Sequence, residues 1–462
     1  MTRSLITILL IILLMPVVAM SSVKLPQPEK ISLDNGLTVF FYKNSELPLV
    51  SFRLLIKGAG SAFEPQGLDG LANFTADLLL KGTKTMDAEA IAEALDFMGA
   101  RLDMSAAEEY ATASGECLSE HLARLLQIAA DCLISPAFKE DEYKKELARK
   151  IDTLKAVKDN PGQALRLYFR KAYFADQPFG HISIGTESSW QKMTLAEIKK
   201  FYSARFRPDM AIMAVVGDVD KEKLLGILKS TINQWPKPVA PAPSTDLPPV
   251  PAPKGKKLIL VDKPDATQSY FALGAAGYSV GDKISARAGI MNTLWGGRFT
   301  SWLNTELRIK RGLTYGAGSS FQSWKTGGLF MATSYTKNDK IGEMLDITFD
   351  LLKKAKDKGF STEEMESVKN YILGQFPPTL ETNGSKANAY LRLIYYSLGF
   401  DYYDRYLNEI SSARPEDIKA AAAKLLPESD FVLVVVGKGS EAKKQLEKYG
   451  KFEEKKITDP DF

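Results

Sequence analysis

The chain has 462 residues, of which 45% are hydrophobic and 25% are charged. This length predicts about two or three domains, and the composition excludes a disordered protein, a collagen-like repeat and a small disulfide scaffold. Basic and acidic residues nearly balance, 60 against 56, so the net charge of +4 gives no electrostatic reason to expect nucleic acid as a partner. Only two histidines are present, His121 and His181, and neither lies in a zinc-ligand spacing. Any histidine-based metal site is therefore restricted to these two residues.

The first 21 residues have the pattern of a secretory signal peptide. Arg3 supplies a positive charge, residues 5–14 form an almost entirely apolar run, and residues 19–21 offer small side chains for cleavage. The apolar stretch is shorter than the ~20 residues that span a bilayer, and an uncleaved anchor stays an alternative. Export predicts a periplasmic or secreted protein, with the Gram-negative envelope as the expected compartment and no membrane attachment after cleavage.

The mature chain contains two cysteines, Cys117 and Cys132. An oxidising compartment allows them to pair, but sequence cannot supply the geometry that a disulfide requires. Cys132 lies on the apolar face of a predicted helix, which favours a buried free thiol that behaves as a small hydrophobe.

Short strands and amphipathic helices follow one another through residues 24–235, which we take as the first domain. Aromatic and β-branched residues predict a strand over residues 37–42, and a second apolar run ends this domain at residues 213–217. Apolar spacing and helix-start signals predict the helices between these strands. These helices cover residues 87–98, 140–158 and 194–204.

A proline-rich segment, residues 236–256, separates this domain from a second one over residues 257–450. It carries eight prolines between Pro236 and Pro253, which predicts a semi-rigid spacer. Residues 451–462 form a charged tail that we expect to fray.

The second domain has the character of a distant copy of the first. It opens with a strand-like run at residues 257–261, contains a predicted helix at 362–373, and ends with Val-Val-Val-Gly at 434–437, which parallels Ala-Val-Val-Gly at 214–217. Strands and helices do not alternate strictly enough for a parallel sheet. We therefore predict an α+β fold of two homologous domains, each an antiparallel-rich sheet with helices packed on one face.

Several segments resemble the pitrilysin/insulinase family of metallopeptidases. Residues 70–83 read Gly-Leu-Ala-Asn-Phe-Thr-Ala-Asp-Leu-Leu-Leu-Lys-Gly-Thr, similar to the helix on which this family carries its H-x-x-E-H zinc motif shortly before Lys-Gly-Thr. Residues 179–186, 296–303 and 306–315 match further family segments in order and spacing. The resemblance implies the two-domain pitrilysin/LuxS-like metallohydrolase fold.

The zinc motif itself is lost. When the segment is aligned on Lys-Gly-Thr, the histidine positions hold Asn73 and Asp77, and the glutamate that would activate water is Ala76. The third ligand position of the family falls at Asp152 or Thr153. The resemblance therefore implies no zinc and no other cofactor in this chain, no autonomous hydrolysis, and zinc in a partner subunit.

The second domain keeps two residues that face the zinc across the substrate cavity in this family, Arg308 and Tyr315. A tyrosine hydroxyl can donate a hydrogen bond to the developing oxyanion, and an arginine can hold a neighbouring substrate carbonyl. The alternative is that Arg308 is a solvated helix residue and Tyr315 a core aromatic. The resemblance also implies that extended peptides bind to the strand with Ser105, Ala106 and Ala107 through backbone hydrogen bonds. The alternative, that this segment is an ordinary strand without a binding role, is equally compatible with the sequence.

Together these features predict the non-zinc subunit of an exported heterodimeric zinc metallopeptidase, which completes the active site of an H-x-x-E-H-bearing sister and acts on unfolded peptides. Whether to class the chain itself as an enzyme stays open, because hydrolysis is expected only in the complex. The alternative is a catalytically inactive peptide-binding or scaffold protein of the cell envelope. A self-sufficient peptidase with a non-standard metal site is disfavoured by the missing ligands.

Overall fold

A computed structural model describes residues 25–462, so the predicted signal peptide lies outside the described residues. The described residues form two six-stranded sheets. The strands of the first sheet are β1 (Glu29–Ser32), β2 (Thr38–Lys43), β3 (Leu49–Lys57), β4 (Arg101–Ala106), β5 (Tyr110–Leu118) and β6 (Ala211–Gly217). Those of the second are β7 (Lys256–Asp262), β8 (Gln268–Ala276), β9 (Ala317–Trp324), β10 (Gly327–Lys337), β11 (Phe431–Gly437) and β12 (Glu453–Lys456).

The helices lie between these strands. In the first half they are α1 (Leu71–Leu79), α2 (Ala88–Phe97), α3 (Leu122–Ile134), α4 (Glu140–Asp159), α5 (Pro161–Phe174), α6 (Glu187–Lys192), α7 (Leu195–Arg205) and α8 (Lys221–Ser230). In the second half they are α9 (Ser285–Asn292), α10 (Trp302–Asn304), α11 (Ile341–Lys358), α12 (Thr362–Gln375), α13 (Asn383–Tyr395), α14 (Tyr402–Ser412), α15 (Pro415–Leu425) and α16 (Gly439–Leu446). Two π-helical segments, Thr293–Gly297 and Thr305–Lys310, follow α9 and α10.

The two sheets repeat one topology. Their strand orders are β1-β2-β6-β3-β5-β4 and β12-β7-β11-β8-β10-β9, so β2, β3, β4, β5 and β6 correspond to β7, β8, β9, β10 and β11. In the first sheet β6 runs parallel to β2 and antiparallel to β3. In the second sheet β11 likewise runs parallel to β7 and antiparallel to β8. The predicted α+β fold with two homologous antiparallel-rich halves is confirmed.

The central strands β6 and β11 are buried along their whole length. Both read as continuous apolar runs, Ala-Ile-Met-Ala-Val-Val-Gly and Phe-Val-Leu-Val-Val-Val-Gly, which is the pattern of a strand covered on both faces. The neighbouring strand β3 is also covered on both faces, because Leu54 and Ile56 belong to one core cluster while Leu55 belongs to another.

The second covering layer of each sheet comes from the other half of the chain. Helix α5 of the first half packs on β8 and β11, and α13 of the second half packs on β3 and β6. Phe169 of α5 approaches Gly274 of β8 so closely that a Cβ there would lie 2.2 Å from the ring. On the other sheet, the buried ring of Tyr390 in α13 packs with Leu55 and Ile212. The halves are therefore interlocked by a reciprocal exchange of helices.

The segment between the two sheets is held against both halves of the chain. Arg207 donates from Nη2 to the Ala240 carbonyl at 2.7 Å and from Nη1 to the Pro241 carbonyl at 3.1 Å. Arg207 is itself fixed by Asp209, whose Oδ2 lies 2.7 Å from Nη2. Further along, the Val250 N–H donates to the Thr326 carbonyl of the β9–β10 turn at 3.1 Å.

The charged tail does not fray, so that expectation was wrong. Strand β12 pairs in parallel with β7, and the following residues lie against the first half. Phe462 stacks edge-on against Tyr168 at 5.2 Å, and Lys158 Nζ donates to the Asp459 carbonyl at 2.6 Å. Backbone pairing and one aromatic contact fix a segment whose side chains are mostly charged.

Among residues 25–462, no helix is both long and apolar enough to cross a membrane.

Candidate active-site remnant

The motif helix α1 begins at Gly70, which has a φ of +90° and serves as its N-cap. A Cβ at this position would lie 2.9 Å from the Gly185 nitrogen, so glycine is required by the backbone conformation and by the close approach. The capping oxygens come from Glu64, whose carboxylate accepts the N–H groups of Gly70 at 3.1 Å and Ala72 at 2.8 Å. A negative charge at this end also complements the helix dipole.

The Glu64 cap belongs to a small buried cluster with Asp69 and His181. The Nδ1 atom of His181 lies 3.5 Å from a carboxylate oxygen of each acid, and Asp69 also accepts the Ile182 N–H at 2.8 Å. Complete burial raises the pKa of the Glu64 carboxyl well above its ordinary value, although the N–H of Ala72 opposes the shift. Burial would also raise the pKa of Asp69, but His181 and the Ile182 N–H hold it below its ordinary value. His181 thus lies beside the two carboxylates at the start of α1. Both of these carboxylates already accept hydrogen bonds from backbone N–H groups.

Asn73, the first motif position, reaches the edge strand of the first sheet. Its Oδ1 accepts the Ala106 N–H at 3.3 Å. Among the described strands, β4 pairs only with β5, so its other edge is open. Ala107 donates its N–H to the Tyr110 carbonyl, and the direction of the backbone groups alternates along a strand. The backbone N–H and C=O groups of residues 102, 104 and 106 therefore point to the open edge.

The three predicted peptide-binding residues differ in what they offer to an incoming strand. Ala107 is already paired, because its carbonyl also accepts the Ser61 N–H at 2.9 Å. The hydroxyl of Ser105 lies 3.1 Å from that of Thr112 on the outer face of the sheet. Only Ala106 has its backbone on the open edge, and its N–H is shared with Asn73.

Asp77, the second histidine position, is ion-paired with Lys150 of α4, and both side chains are largely buried. Just beyond the end of α1, Lys81 Nζ lies 2.9 Å from Glu146 Oε1. Burial would raise the pKa of Glu146, but hydrogen bonds from Lys81 and Arg149 hold it below its ordinary value. Helices α1 and α4 are therefore joined by two ion pairs across the motif.

The residues at the motif do not fit a zinc ion. Zinc takes deprotonated Cys, His or carboxylate ligands in a tetrahedral set, whereas this helix offers an amide at Asn73, a buried methyl group at Ala76 and a carboxylate at Asp77 that already binds an ammonium group. Lys150 also places a positive charge against the one carboxylate that the motif helix offers. Across the described part of the chain, no group of three or more His, Cys, Asp or Glu side chains is arranged to hold a metal ion.

Of the two candidates for the third ligand position, Thr153 continues the face of α4 that carries Glu146 and Lys150. Asp152 points away from this face and lies 3.5 Å from Lys155, with both side chains exposed to solvent. His121 occupies the N-cap position of α3 but makes no side-chain capping bond. Cys117 and Cys132 are both buried and free, and burial raises the pKa of each thiol to about 12.

Arg308 and Tyr315 are brought together by a tight chain reversal. The π-helical segment that carries Arg308 ends at Lys310, and Gly312 follows with a φ of +61°, the left-handed conformation common after helix C-termini. Arg308 Nη1 then donates to the Tyr315 carbonyl at 2.7 Å, and its guanidinium lies 4.8 Å from the centre of the Phe299 ring. The Tyr315 side chain is 80% exposed, which excludes the alternative of a core aromatic.

The predicted residues thus fall into two separate groups. Asn73 meets the peptide strand at Ala106, and Arg308 meets Tyr315, but no hydrogen bond or ion pair within residues 25–462 joins the motif helix to the Arg308 segment. Lys150 was not predicted. Its signal in the sequence is a pair of opposite charges, Glu146 and Lys150, within the stripe of α4 that also contains the buried Tyr143 and Leu154.

Models of one protein family match a segment in each half of the chain. Residues 39–187 match the model described as Insulinase (Peptidase family M16), and residues 192–372 match the one described as Peptidase M16 inactive domain. The chain belongs to the M16 peptidase family. The matched segments lie in both halves of the chain and include the degenerate motif helix.

Individual M16 relatives align over most of the chain. A protein of Bacillus subtilis named "Uncharacterized zinc protease YmxG" is 24% identical and covers 88% of this chain and 98% of its own length. A Helicobacter pylori relative named "Non-peptidase homolog YmxG" is 24% identical over 82% of this chain and 87% of its own length. The crystal structure of a peptidase M16 inactive domain from Pseudomonas fluorescens is 26% identical, covers 89% of this chain and 98% of its own, and superposes with a TM-score of 0.82.

Proposed function

We propose that this chain is the non-zinc subunit of an exported heterodimeric M16 peptidase. Its role is to supply Arg308 and Tyr315 to the active site of a sister chain that carries H-x-x-E-H, and to help enclose unfolded peptides. The observation that carries the proposal is the contrast between the two groups of residues. Asp77 of the motif helix is engaged in an ion pair with Lys150, while Tyr315 stays exposed and the half-buried Arg308 is held against its carbonyl.

The exposed side chain of Tyr315, with the half-buried Arg308 beside it, suits action on a substrate held by another chain. Tyr315 has an unobstructed hydroxyl that can donate to the oxygen of a scissile amide as negative charge develops. Arg308 is fixed by the Tyr315 carbonyl and by the Phe299 ring, which leaves part of its planar fork for a substrate carbonyl. The zinc and the activated water belong to the sister, so this chain contributes orientation and charge stabilisation.

Co-expression with the product of a neighbouring H-x-x-E-H-bearing gene tests the proposal. Peptide hydrolysis is expected only from the mixture, and Arg308→Ala or Tyr315→Phe should lower kcat by about 10²-fold or more without dissociating the complex. Arg311→Ala and Tyr371→Phe are matched controls, since both residues are exposed and lie nearby. Full activity with either Arg308→Ala or Tyr315→Phe would contradict the assigned role.

A second candidate is a catalytically inactive peptide-binding or scaffold protein of the cell envelope. The relative named as a non-peptidase homolog favours it, as does the absence of a metal-binding arrangement within the described residues. The same experiment separates the two candidates. A scaffold would form a complex or bind peptides without raising hydrolysis in any mixture, and substitutions at Arg308 and Tyr315 would leave its binding unchanged.

A further inference from the structure

A tyrosine-rich cavity lies in the second half of the chain, beside the helix α13 that packs on the first sheet. Its volume is about 280 Å³. Helix α13, which packs on the first sheet, forms one side, and the β8–α9 connection, β9 and α14 of the second half form the others. The aromatic lining consists of Tyr278, Phe321, Phe376, Tyr402, Tyr403 and Tyr406.

The rings of this cavity are packed, but several of their hydroxyl groups are free to bind a ligand. Within residues 25–462 the hydroxyls of Tyr278, Tyr403 and Tyr406 make no hydrogen bond to the protein. These hydroxyls are also not fully buried, so a ligand can reach them. Tyr402 and Tyr406 stack with ring centres 6.3 Å apart, and Tyr278 packs on Phe321 at 5.0 Å. Burial raises the pKa of Tyr406 to about 12, so its hydroxyl is a hydrogen-bond donor at neutral pH. The wall therefore offers donors on an apolar surface.

Arg392 of α13 provides the cation of the cavity. It forms no ion pair within the described residues, and its guanidinium lies 5.6 Å from the centre of the Tyr396 ring. By contrast, Arg405 on the adjoining side is paired with Asp401 at 3.0 Å and donates to the Leu398 carbonyl at 2.9 Å. Arg392 is thus a cation without a protein carboxylate, beside tyrosine hydroxyls without partners.

The charges around the cavity limit the anion that fits. Asp282 and Glu409 line an adjoining cavity of about 240 Å³, which shares Tyr402 and Tyr406 with the first. Lys283 and Arg405 line the same adjoining cavity and offset these carboxylates, so Arg392 is the cation left for a ligand. A carboxylate carries one charge and takes a paired arrangement on a single guanidinium. The space is at the small end of the ~300–1,000 Å³ typical of ligand pockets, which suits a body of about one residue.

We propose that this cavity binds a carboxylate carried on an aromatic or branched apolar body. The carboxylate pairs with Arg392 and accepts hydrogen bonds from tyrosine hydroxyls, while the body lies against the aromatic rings that line the cavity. The same chemistry is presented by a free aromatic acid and by the last residue of a peptide. The site is separate from Arg308 and Tyr315 and does not depend on the partnership proposed above.

Calorimetric titration of the full chain tests this site with four probes. They are N-acetyl-phenylalanine, its amide, Ala-Ala-Phe and Ala-Ala-Phe amide. We expect both acids to bind and both amides to bind at least about tenfold more weakly, because the amide cannot pair with the guanidinium. Tighter binding of the tripeptide acid than of the single acid identifies a peptide terminus as the source, and the reverse identifies a small acid. Equal affinity for acids and amides, or no binding by either acid at millimolar concentration, would overturn the proposal.

Variants place the binding in this cavity. Arg392→Gln should weaken acid binding at least about tenfold, and Tyr406→Phe should weaken it by a smaller factor through the loss of one hydroxyl. Arg405→Gln is the matched control, since this arginine is already paired, and should leave affinity unchanged. Circular dichroism checks that each variant is folded. Unchanged affinity in both Arg392→Gln and Tyr406→Phe would show that the acids bind elsewhere and would reject the site.

Discussion

At the scale of single residues, the loss of the zinc motif has been accompanied by a change of charge. Asn73 and Ala76 remove a ligand and the base, but Lys150 goes further by neutralising the one carboxylate that remains, Asp77. A half-buried carboxylate left alone would carry a desolvation cost, and an ammonium group on the facing helix offsets part of it. The former metal position is thus an ion pair that links α1 to α4.

Replacing Lys150 with alanine should therefore destabilise the fold. We expect the free energy of unfolding to fall by about 1–2 kcal/mol, because Asp77 loses a charge-assisted hydrogen bond and regains only partial contact with water. Urea unfolding followed by circular dichroism measures the change. Lys155→Ala is the control on the same helix, because its ion pair with Asp152 is exposed, and it should cost less than about 0.5 kcal/mol. Equal costs for the two variants would show that the Lys150 pair contributes no more than a surface contact.

At the scale of elements, the position of α1 depends on the carboxylate at its start. Glu64 is completely buried and accepts two N–H groups of the first turn, so the motif helix is fixed by a titratable cap. Because the pKa of Glu64 in the folded chain lies above its ordinary value of 4.5, the folded state takes up this proton at a higher pH than the unfolded state. The contribution of this group to stability therefore increases as pH falls through its folded pKa, and is complete below 4.5.

Glu64→Gln should remove this part of the pH dependence. The difference in unfolding free energy between pH 5 and pH 8 is measured for the natural chain and for the variant, and we expect it to shift in the variant towards greater relative stability at pH 8. Glu146→Gln is the control, because the pKa of Glu146 lies below its ordinary value and its contribution changes only below about pH 4.5. If Glu64→Gln and Glu146→Gln gave the same pH profile, the burial of Glu64 would not control the stability of this end of α1.

Many elements could be predicted from the sequence, because their signals are local. The helix predicted at residues 140–158 is observed as Glu140–Asp159, and apolar runs located β6 and β11. The packing of α5 and α13 on the sheet of the opposite half could not be predicted. An apolar stripe, such as the one around Tyr390, indicates that this face of the helix is buried but not which sheet covers it. Strand β12 was missed because its pairing uses the backbone, while its side chains are Glu and Lys.

The candidate site was predictable only in part for the same reason. Sequence alignment on Lys-Gly-Thr located Asn73, Ala76 and Asp77, but the partner of Asp77 lies 73 positions away on another helix. The resemblance suggested Arg308 and Tyr315 as a pair, and the contact between them depends on the reversal at Gly312. The tyrosine-rich cavity had no sequence signal, because its residues come from the β8–α9 connection, β9, α13 and α14, which are far apart in the sequence.

At the scale of the whole molecule, the interlocked helices make each sheet dependent on the other half. Leu55 and Ile212 of the first sheet are buried by α13, and Ile259 and Val434 of the second belong to the same core cluster as Leu165 and Phe169 of α5. Contacts between hairpin tips add to this, because Glu109 accepts the Lys325 N–H at 3.0 Å and the Tyr396 hydroxyl at 2.7 Å. The proline-rich connection is then unnecessary for keeping the halves together once the chain has folded.

Cutting that connection should leave the molecule intact. Val239 is fully exposed, so a site for a specific protease inserted there is accessible. After cleavage we expect the two fragments to co-elute in gel filtration and to unfold in a single calorimetric transition, because each fragment buries apolar surface of the other. The fragment ending at residue 239, expressed alone, should instead aggregate or bind a hydrophobic dye, since the face of β3 and β6 under α13 is left open, and co-expression with the second fragment should restore a soluble complex. Separate elution of the nicked fragments, or two independent transitions in the uncut chain, would show that the exchanged helices pack too weakly to join the halves.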